Sequence, residues 1–308
     1  MKARLHSLIF TALILALVFT ACQKDKTPAV DYTTESSTHS DDQNRFSTEN
    51  DAAVNDVDLT METTSGFFRG DNLQSLICDA TIVVDTMSNP RTVTITYNGT
   101  NCLGNRTRTG VIVISMAQNV RWRNPGAAIN VSFQNFKVTR LSDNKSITLN
   151  GTQTYTNVSG GLLINLPALG TITRTITSSN MSLTFDNGSQ RTWQVARQRV
   201  FSYNNGVVIT ETGTQTVGNV TNVAEWGTNR FGNAFTTSIA QPVILKQDCS
   251  FRVGAGQVVH TTPNFNSSVS FGLDANGNPT GCPGANPYYM RVTWTGIAGN
   301  THSVLIPY

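Results

Sequence analysis

Apolar residues recur at every second position along most of this chain, and that period restricts the fold more than any other feature. Val93, Ile95 and Tyr97 share one face of Arg91–Tyr97, and Met181, Leu183 and Phe185 repeat the pattern. Tyr288, Met290, Val292 and Trp294 repeat it again. A period of two marks half-buried antiparallel strands. Val111-Ile112-Val113-Ile114 is unbroken, which predicts a strand covered on both faces. The 43 threonines add β-branched residues throughout. No helical period of ten or more residues follows Phe67.

The turns are spelled in residues that tolerate positive φ. Asn187-Gly188 lies between Met181–Phe185 and Thr192–Tyr203, and Asn204-Asn205-Gly206 lies between that run and Val207–Thr212. Asn98-Gly99 and Asn150-Gly151 are further turn candidates. The apolar phase slips between Val131/Phe133 and Phe136/Val138, which predicts a β-bulge at Gln134-Asn135. Gly254-Ala255-Gly256 sits inside a strand pattern and marks a bulge or a close backbone approach. The expected fold is all-β: an antiparallel sandwich or a long twisted meander of about 14–17 strands, preceded by a disordered tether.

Charge divides the chain. Residues 23–77 carry 4 Lys/Arg against 11 Asp/Glu, a net charge of −7, whereas residues 78–308 carry 16 against 8, a net of +8. The acidic stretch is poor in large apolar residues as far as Phe67, so residues 22–66 read as a flexible, self-repelling tether and residues 67–308 as the β-domain. A short helix over Thr48–Glu62 would place Val54, Val57 and Met61 on one face. The basic excess of the β-domain suits anionic glycans or outer-leaflet phosphates as partners, and equally an ordinary β-protein of modest pI. No Lys/Arg run interleaved with aromatics points to nucleic acid.

The N-terminus reads as an export signal over residues 1–21: Lys2 and Arg4, the twelve-residue apolar run Leu8–Phe19, then Thr20-Ala21-Cys22. That run is too short to span a bilayer. Thr20-Ala21-Cys22 resembles the lipobox of bacterial lipoproteins, with Phe19 where Leu, Val or Ile is usual. The resemblance implies that Cys22 is acylated (palmitate among its acyl groups) and that the protein is held to the outer membrane by this lipid anchor. Gln23-Lys24-Asp25-Lys26 resembles the short tag of surface-exposed Bacteroidota lipoproteins. With Cys22 assigned to lipid, Cys78, Cys102, Cys249 and Cys282 form an even remainder, which in an oxidising compartment predicts two disulfides. Of three pairings, sequence proximity favours Cys78–Cys102 and Cys249–Cys282.

Arg91–Met116, Arg121–Val138 and Leu245–His260 are similar to a family of Bacteroidota outer-membrane lipoproteins with no established activity. The resemblance implies an all-β surface lipoprotein and supplies no catalytic residues. Asp85-Thr86-Met87 resembles the motif at which these bacteria O-glycosylate exported proteins, with Thr86 as acceptor.

Signals for chemistry are sparse. Asp143, Asp186 and Asp274 sit beside Asn or Gly in apparent turns, where Asx caps account for them. Glu211 and Glu225 are the remaining candidate carboxylate pair. Asp248 and His260 could be drawn into a triad, though no GxSxG elbow supports one. No CxxC spacing supports zinc, and Asp274-Ala275-Asn276-Gly277-Asn278 lacks the closing glutamate of a calcium loop. Neither a cofactor nor a metal is therefore expected. Trp122, between Arg121 and Arg123, and Trp226, before Gly227, are candidates for stacking on sugar rings, whereas Trp193 and Trp294 read as core. These observations favour a non-catalytic, lipid-anchored envelope protein with a structural or recognition role, its partners being glycans or envelope proteins. An envelope glycan- or peptide-hydrolysing enzyme and an accessory subunit of an outer-membrane complex are the alternatives.

Overall fold

Among the described residues, sixteen strands form one sheet in which every pairing is antiparallel. The computed structural model describes residues 32–63, 77–178, 180–284, 286–295 and 299–308. Cys22 and the signal residues lie outside these. The first five strands form a simple meander: β1 (Ala80–Asp85), β2 (Arg91–Thr100), β3 (Arg106–Met116), β4 (Ala127–Arg140) and β5 (Ser146–Asn157). The last five do the same: β12 (Ala234–Lys246), β13 (Val253–Thr261), β14 (Asn266–Leu273), β15 (Tyr289–Thr295) and β16 (Thr301–Pro307). A single sheet replaces the sandwich alternative and agrees with the meander.

The middle of the sheet is more involved. β6 (Thr171–Ser178) and β7 (Ser182–Phe185) share one line, both pairing with β5 on one side and β8 (Gln190–Tyr203) on the other. Beyond β8, a second shared line holds β9 (Val207–Gly213) and β11 (Val220–Thr228), each pairing with β8 and β12. The short β10 (Gln215–Val217) pairs with β11.

Turn chemistry fixes much of this register. Gly188 (φ 79°) closes the β7–β8 turn, and Asn205 (φ 52°) with Gly206 (φ 153°) closes β8–β9. The expected bulge is present: Phe133 faces Gly151 and Phe136 faces Leu149, so Gln134-Asn135 oppose Asn150 alone. Asn135 adopts φ 51°, and its carbonyl would lie 2.2 Å from any Cβ at Gly110 (φ 101°). That approach explains why β3 carries a glycine there. Asn98-Gly99 and Asn150-Gly151, read as turns from sequence, instead lie inside β2 and β5. Gly151 (φ 118°) packs against the Asn180 carbonyl, so a glycine was needed for close approach and not for a reversal. Ile112 and Ile114 are buried while Val111 and Val113 are only half-buried, so β3 has one core face after all.

The largest correction concerns residues 22–66. Thr33–Thr63 is not a flexible tether but a continuous 31-residue helix, α1, enclosed by the sheet. Only Thr34, Leu59 and Thr63 on it are exposed. Phe46, Ala53, Val54, Val57 and Met61 join the strand residues Val93, Ile95, Ile129, Phe133, Phe136, Leu149, Leu183 and Trp193 in one apolar cluster. The expected short helix over Thr48–Glu62 was thus the C-terminal half of a longer one. Composition misled because the acids of α1 are neutralised by the sheet and do not repel one another in water.

Both disulfides follow the favoured pairing. Cys78–Cys102 ties the start of β1 to the β2–β3 loop (Cα–Cα 5.3 Å), and Cys249–Cys282 ties the β12–β13 and β14–β15 loops (5.0 Å).

Candidate functional site

Arginines on the concave face of the sheet meet the acids of α1 one by one. Arg140 and Lys145 flank Asp41, Arg230 grips Asp42 through two bonds of 2.6 Å, and Arg106 donates to Glu49 at 2.6 Å. Further along, Arg108 bonds Asp56 at 2.7 Å, and Arg174 bonds both Asp58 and Glu62 at 2.6 Å. Glu35, at the helix start, accepts instead from Asn229, Asn233 and Asn264. Arg106/Arg108 and Arg197/Arg199 are each two residues apart, the strand period, so both members of each pair face inward. That spacing was the available sequence signal for an inward basic surface.

The seam is densest around Arg197, in the middle of β8. Its guanidinium donates to Asp51 of α1 at 2.8 Å, to Glu211 of β9 at 3.2 Å, to Ser47 at 2.8 Å and to Glu225 of β11. Topology explains the convergence. Glu211 stands opposite Arg199 and Glu225 opposite Val195, so the shared β9/β11 line places one glutamate on each side of Arg197. Arg199 adds an ion pair to Glu211 at 2.8 Å. Glu225 also accepts from Trp193 Nε1 at 2.8 Å and from Ser47 at 2.6 Å.

Sequence reasoning paired Glu211 with Glu225, and the structure does bring them to one guanidinium. Both are buried, and they face a cavity of about 20 Å³, room for a single water molecule. Its other wall is apolar, formed by Ile239, Val243, Val253, Val258 and Phe271. Asp51, which sequence reasoning missed because it placed the residue in a tether, has its pKa pushed up to about 7, first by burial and then by the Glu211 charge. Burial likewise raises Asp42 to about 6, against the opposing pull of Arg230.

The other sequence candidates separate. Asp248 lies beyond the end of β12, whereas His260 is near the far end of β13, about 23 Å from Val253 at the usual strand rise. No triad joins them. His260 is buried and bonds Thr237 through Nδ1 at 2.9 Å. Asp248, Cys249 and Cys282 lie close together, but both thiols are spent in the disulfide. Trp122 lies in the β3–β4 loop, but its ring is buried under the Arg174 guanidinium at 5.1 Å, so it has no face to offer a sugar. Trp226, in register with Gln194 and Thr236, is half-buried. Trp193 and Trp294 are in the core as expected. Thr86 sits in the β1–β2 loop, where Asp85 accepts from the Met87 and Ser88 amides. Asp143 and Asp274 cap their own turns, while Asp186 turns to Arg230.

No family model, characterised protein or solved structure matches this chain.

Proposed function

We propose that this protein is an exported, lipid-anchored component of the bacterial envelope whose β-domain serves as a rigid structural or recognition module. The export and anchoring half of this reading rests on Lys2, Arg4, the Leu8–Phe19 run and Cys22. The observation that carries the other half is occupancy of the groove. Where a curved sheet would hold a substrate, this one holds its own helix, and the carboxylates facing inward are tied to arginines. A general acid or nucleophile needs access and a free proton path, which buried ion-paired groups lack. What remains for recognition is the outer face of the sheet and its loops. Metabolic labelling with an alkyne palmitate, followed by envelope fractionation of wild type and Cys22→Ser, tests the reading. Label and outer-membrane retention lost together in the variant are expected; an unlabelled, membrane-free wild type would overturn it.

One observation favours a second role, as an accessory subunit of an outer-membrane complex. Met87 and Ile164 are 90% and 82% exposed, and Val158, Leu169 and Tyr203 are exposed as well. All five lie at the end of the sheet where Glu62 of α1 accepts from the Leu163 amide: Met87 between β1 and β2, Val158, Ile164 and Leu169 between β5 and β6, and Tyr203 as the last residue of β8. Large apolar residues exposed at one end of a domain are candidates for a partner surface. A photo-crosslinker at position 164 that captures a defined envelope protein, but not one at Asn187 in the β7–β8 turn at the opposite end of the sheet, would support this role.

A further inference from the structure

Near the start of α1, polar atoms accumulate without protein partners. His39 is fully buried and neither ring nitrogen is bonded; Ser36, one turn before it, and Ser40, next to it in the chain, also carry buried, unbonded hydroxyls. Opposite them, His260 Nε2 is unbonded, as is the hydroxyl of Ser267, the cross-strand neighbour of His260. The His39 and His260 rings meet where α1 faces β13, with Ser267 beside His260 on β14. Phe235, Phe265 and Trp193 enclose them at 4.8–6.3 Å from the His39 ring. Buried polar groups are almost always satisfied, so a cluster of orphans points to something that satisfies them.

Geometry narrows what that is. An ion bonded to one nitrogen of each imidazole at about 2.05 Å lies about 3.2 Å from each ring centre, so a tetrahedral angle separates the centres by about 5.2 Å and a linear one by about 6.4 Å. The centres of His39 and His260 are 5.1 Å apart. We infer that His39 and His260 form a metal site joining α1 to the sheet, for a tetrahedral, imidazole-preferring cation of the zinc class, with hydroxyls from Ser36, Ser40 or Ser267 or water completing the shell. The Thr237 hydroxyl on His260 Nδ1 supplies the orienting partner that metal-bound imidazoles usually have, leaving Nε2 for the ion. Burial holds both imidazoles neutral, the form that binds metal. The site escaped sequence reasoning because His39 lay in the supposed tether, leaving His260 without a counterpart.

The test uses the full chain, extracted in detergent, stripped with chelator and titrated with Zn²⁺ or Co²⁺. About one equivalent is expected, with Co²⁺ giving the intense ligand-field bands of a tetrahedral site and Zn²⁺ raising the melting temperature. His39→Ala and His260→Ala should each weaken binding at least tenfold, while His302→Ala, which removes a ring stacked on Trp294, should not. X-ray absorption of the Zn²⁺-loaded wild type gives a readout independent of variants and should contain two imidazole ligands. Failure to bind, binding that survives both substitutions, or an oxygen-only shell would overturn the site, and the last two would mean an adventitious ion only.

Discussion

Replacing Arg197 by methionine keeps most of the side-chain volume and removes the charge at the centre of the seam. Its consequences can be worked through partner by partner. Glu211 keeps Arg199 at 2.8 Å, and Glu225 keeps Trp193 Nε1 and Ser47. Asp51 loses its bonded cation and is left buried between α1 and β8. Breaking a buried pair by removing one partner costs about 3–5 kcal/mol, because the survivor is desolvated without compensation. Asp51, left without a bonded cation, therefore sets the expected loss at about 3–5 kcal/mol at about pH 8, above its folded pKa of about 7. At about pH 4.5 the loss should shrink to about half or less, since a buried acid with a raised pKa escapes its penalty by taking up a proton. Urea unfolding with disulfides intact, read as the midpoint at unchanged slope, measures both values. The double variant Arg197→Met/Asp51→Asn should recover part of the loss at the higher pH. A cost below about 1 kcal/mol at about pH 8, or one equal at both pH values, would refute the claim that these charges are buried and mutually dependent.

Three further outcomes are expected. Asp51 has a folded pKa near 7, above its unfolded value, so its stabilising contribution is complete below about pH 4 and is lost as pH rises through 7; Asp51→Asn should flatten that decline in a pH series of unfolding curves. Gly110→Ala forces a Cβ to 2.2 Å from the Asn135 carbonyl in a positive-φ residue, so thermal unfolding should show a loss of about 2 kcal/mol or more, against about 1 kcal/mol, the cost of positive φ alone, at the open Gly188 turn. Trp122→Ala should cost about 3–5 kcal/mol in urea unfolding because the ring is core beneath Arg174, whereas Trp226→Ala should cost clearly less, consistent with its half-buried place in β11.

The strands were legible because their determinants are local. Alternation along Arg91–Tyr97, the slip at Gln134-Asn135 and the Asn-Gly turns each depend on a few adjacent residues, and each is present. Where the same dipeptide served a different purpose, as at Asn150-Gly151, local reading failed. That glycine answers to the backbone of Asn180, far along the chain beyond β6. The two disulfides were recoverable for the same reason, since each closes a loop between neighbouring hairpins. The Glu211–Glu225 convergence was only half legible. Their separation in sequence suggested neighbouring strands, but they share one interrupted line, a consequence of β8 running past both β9 and β11.

The helix was illegible because its partner is the whole sheet. Polar residues surround α1, and in isolation such a sequence would not stay folded. Yet the opposite net charges on either side of residue 77 were visible from the start, and they are the halves of one interface. Buried ion pairs add little stability relative to apolar packing, so their main effect here is on position. A slip of one helical turn would carry each acid about 5.4 Å along the groove and leave Asp42, Asp51 and Asp58 buried opposite the wrong side chains. Phe46, Val54, Val57 and Met61 tolerate such a slip far better, because apolar contact is not directional. The apolar stripe thus drives α1 into the sheet, while the arginines determine where along the groove it stops.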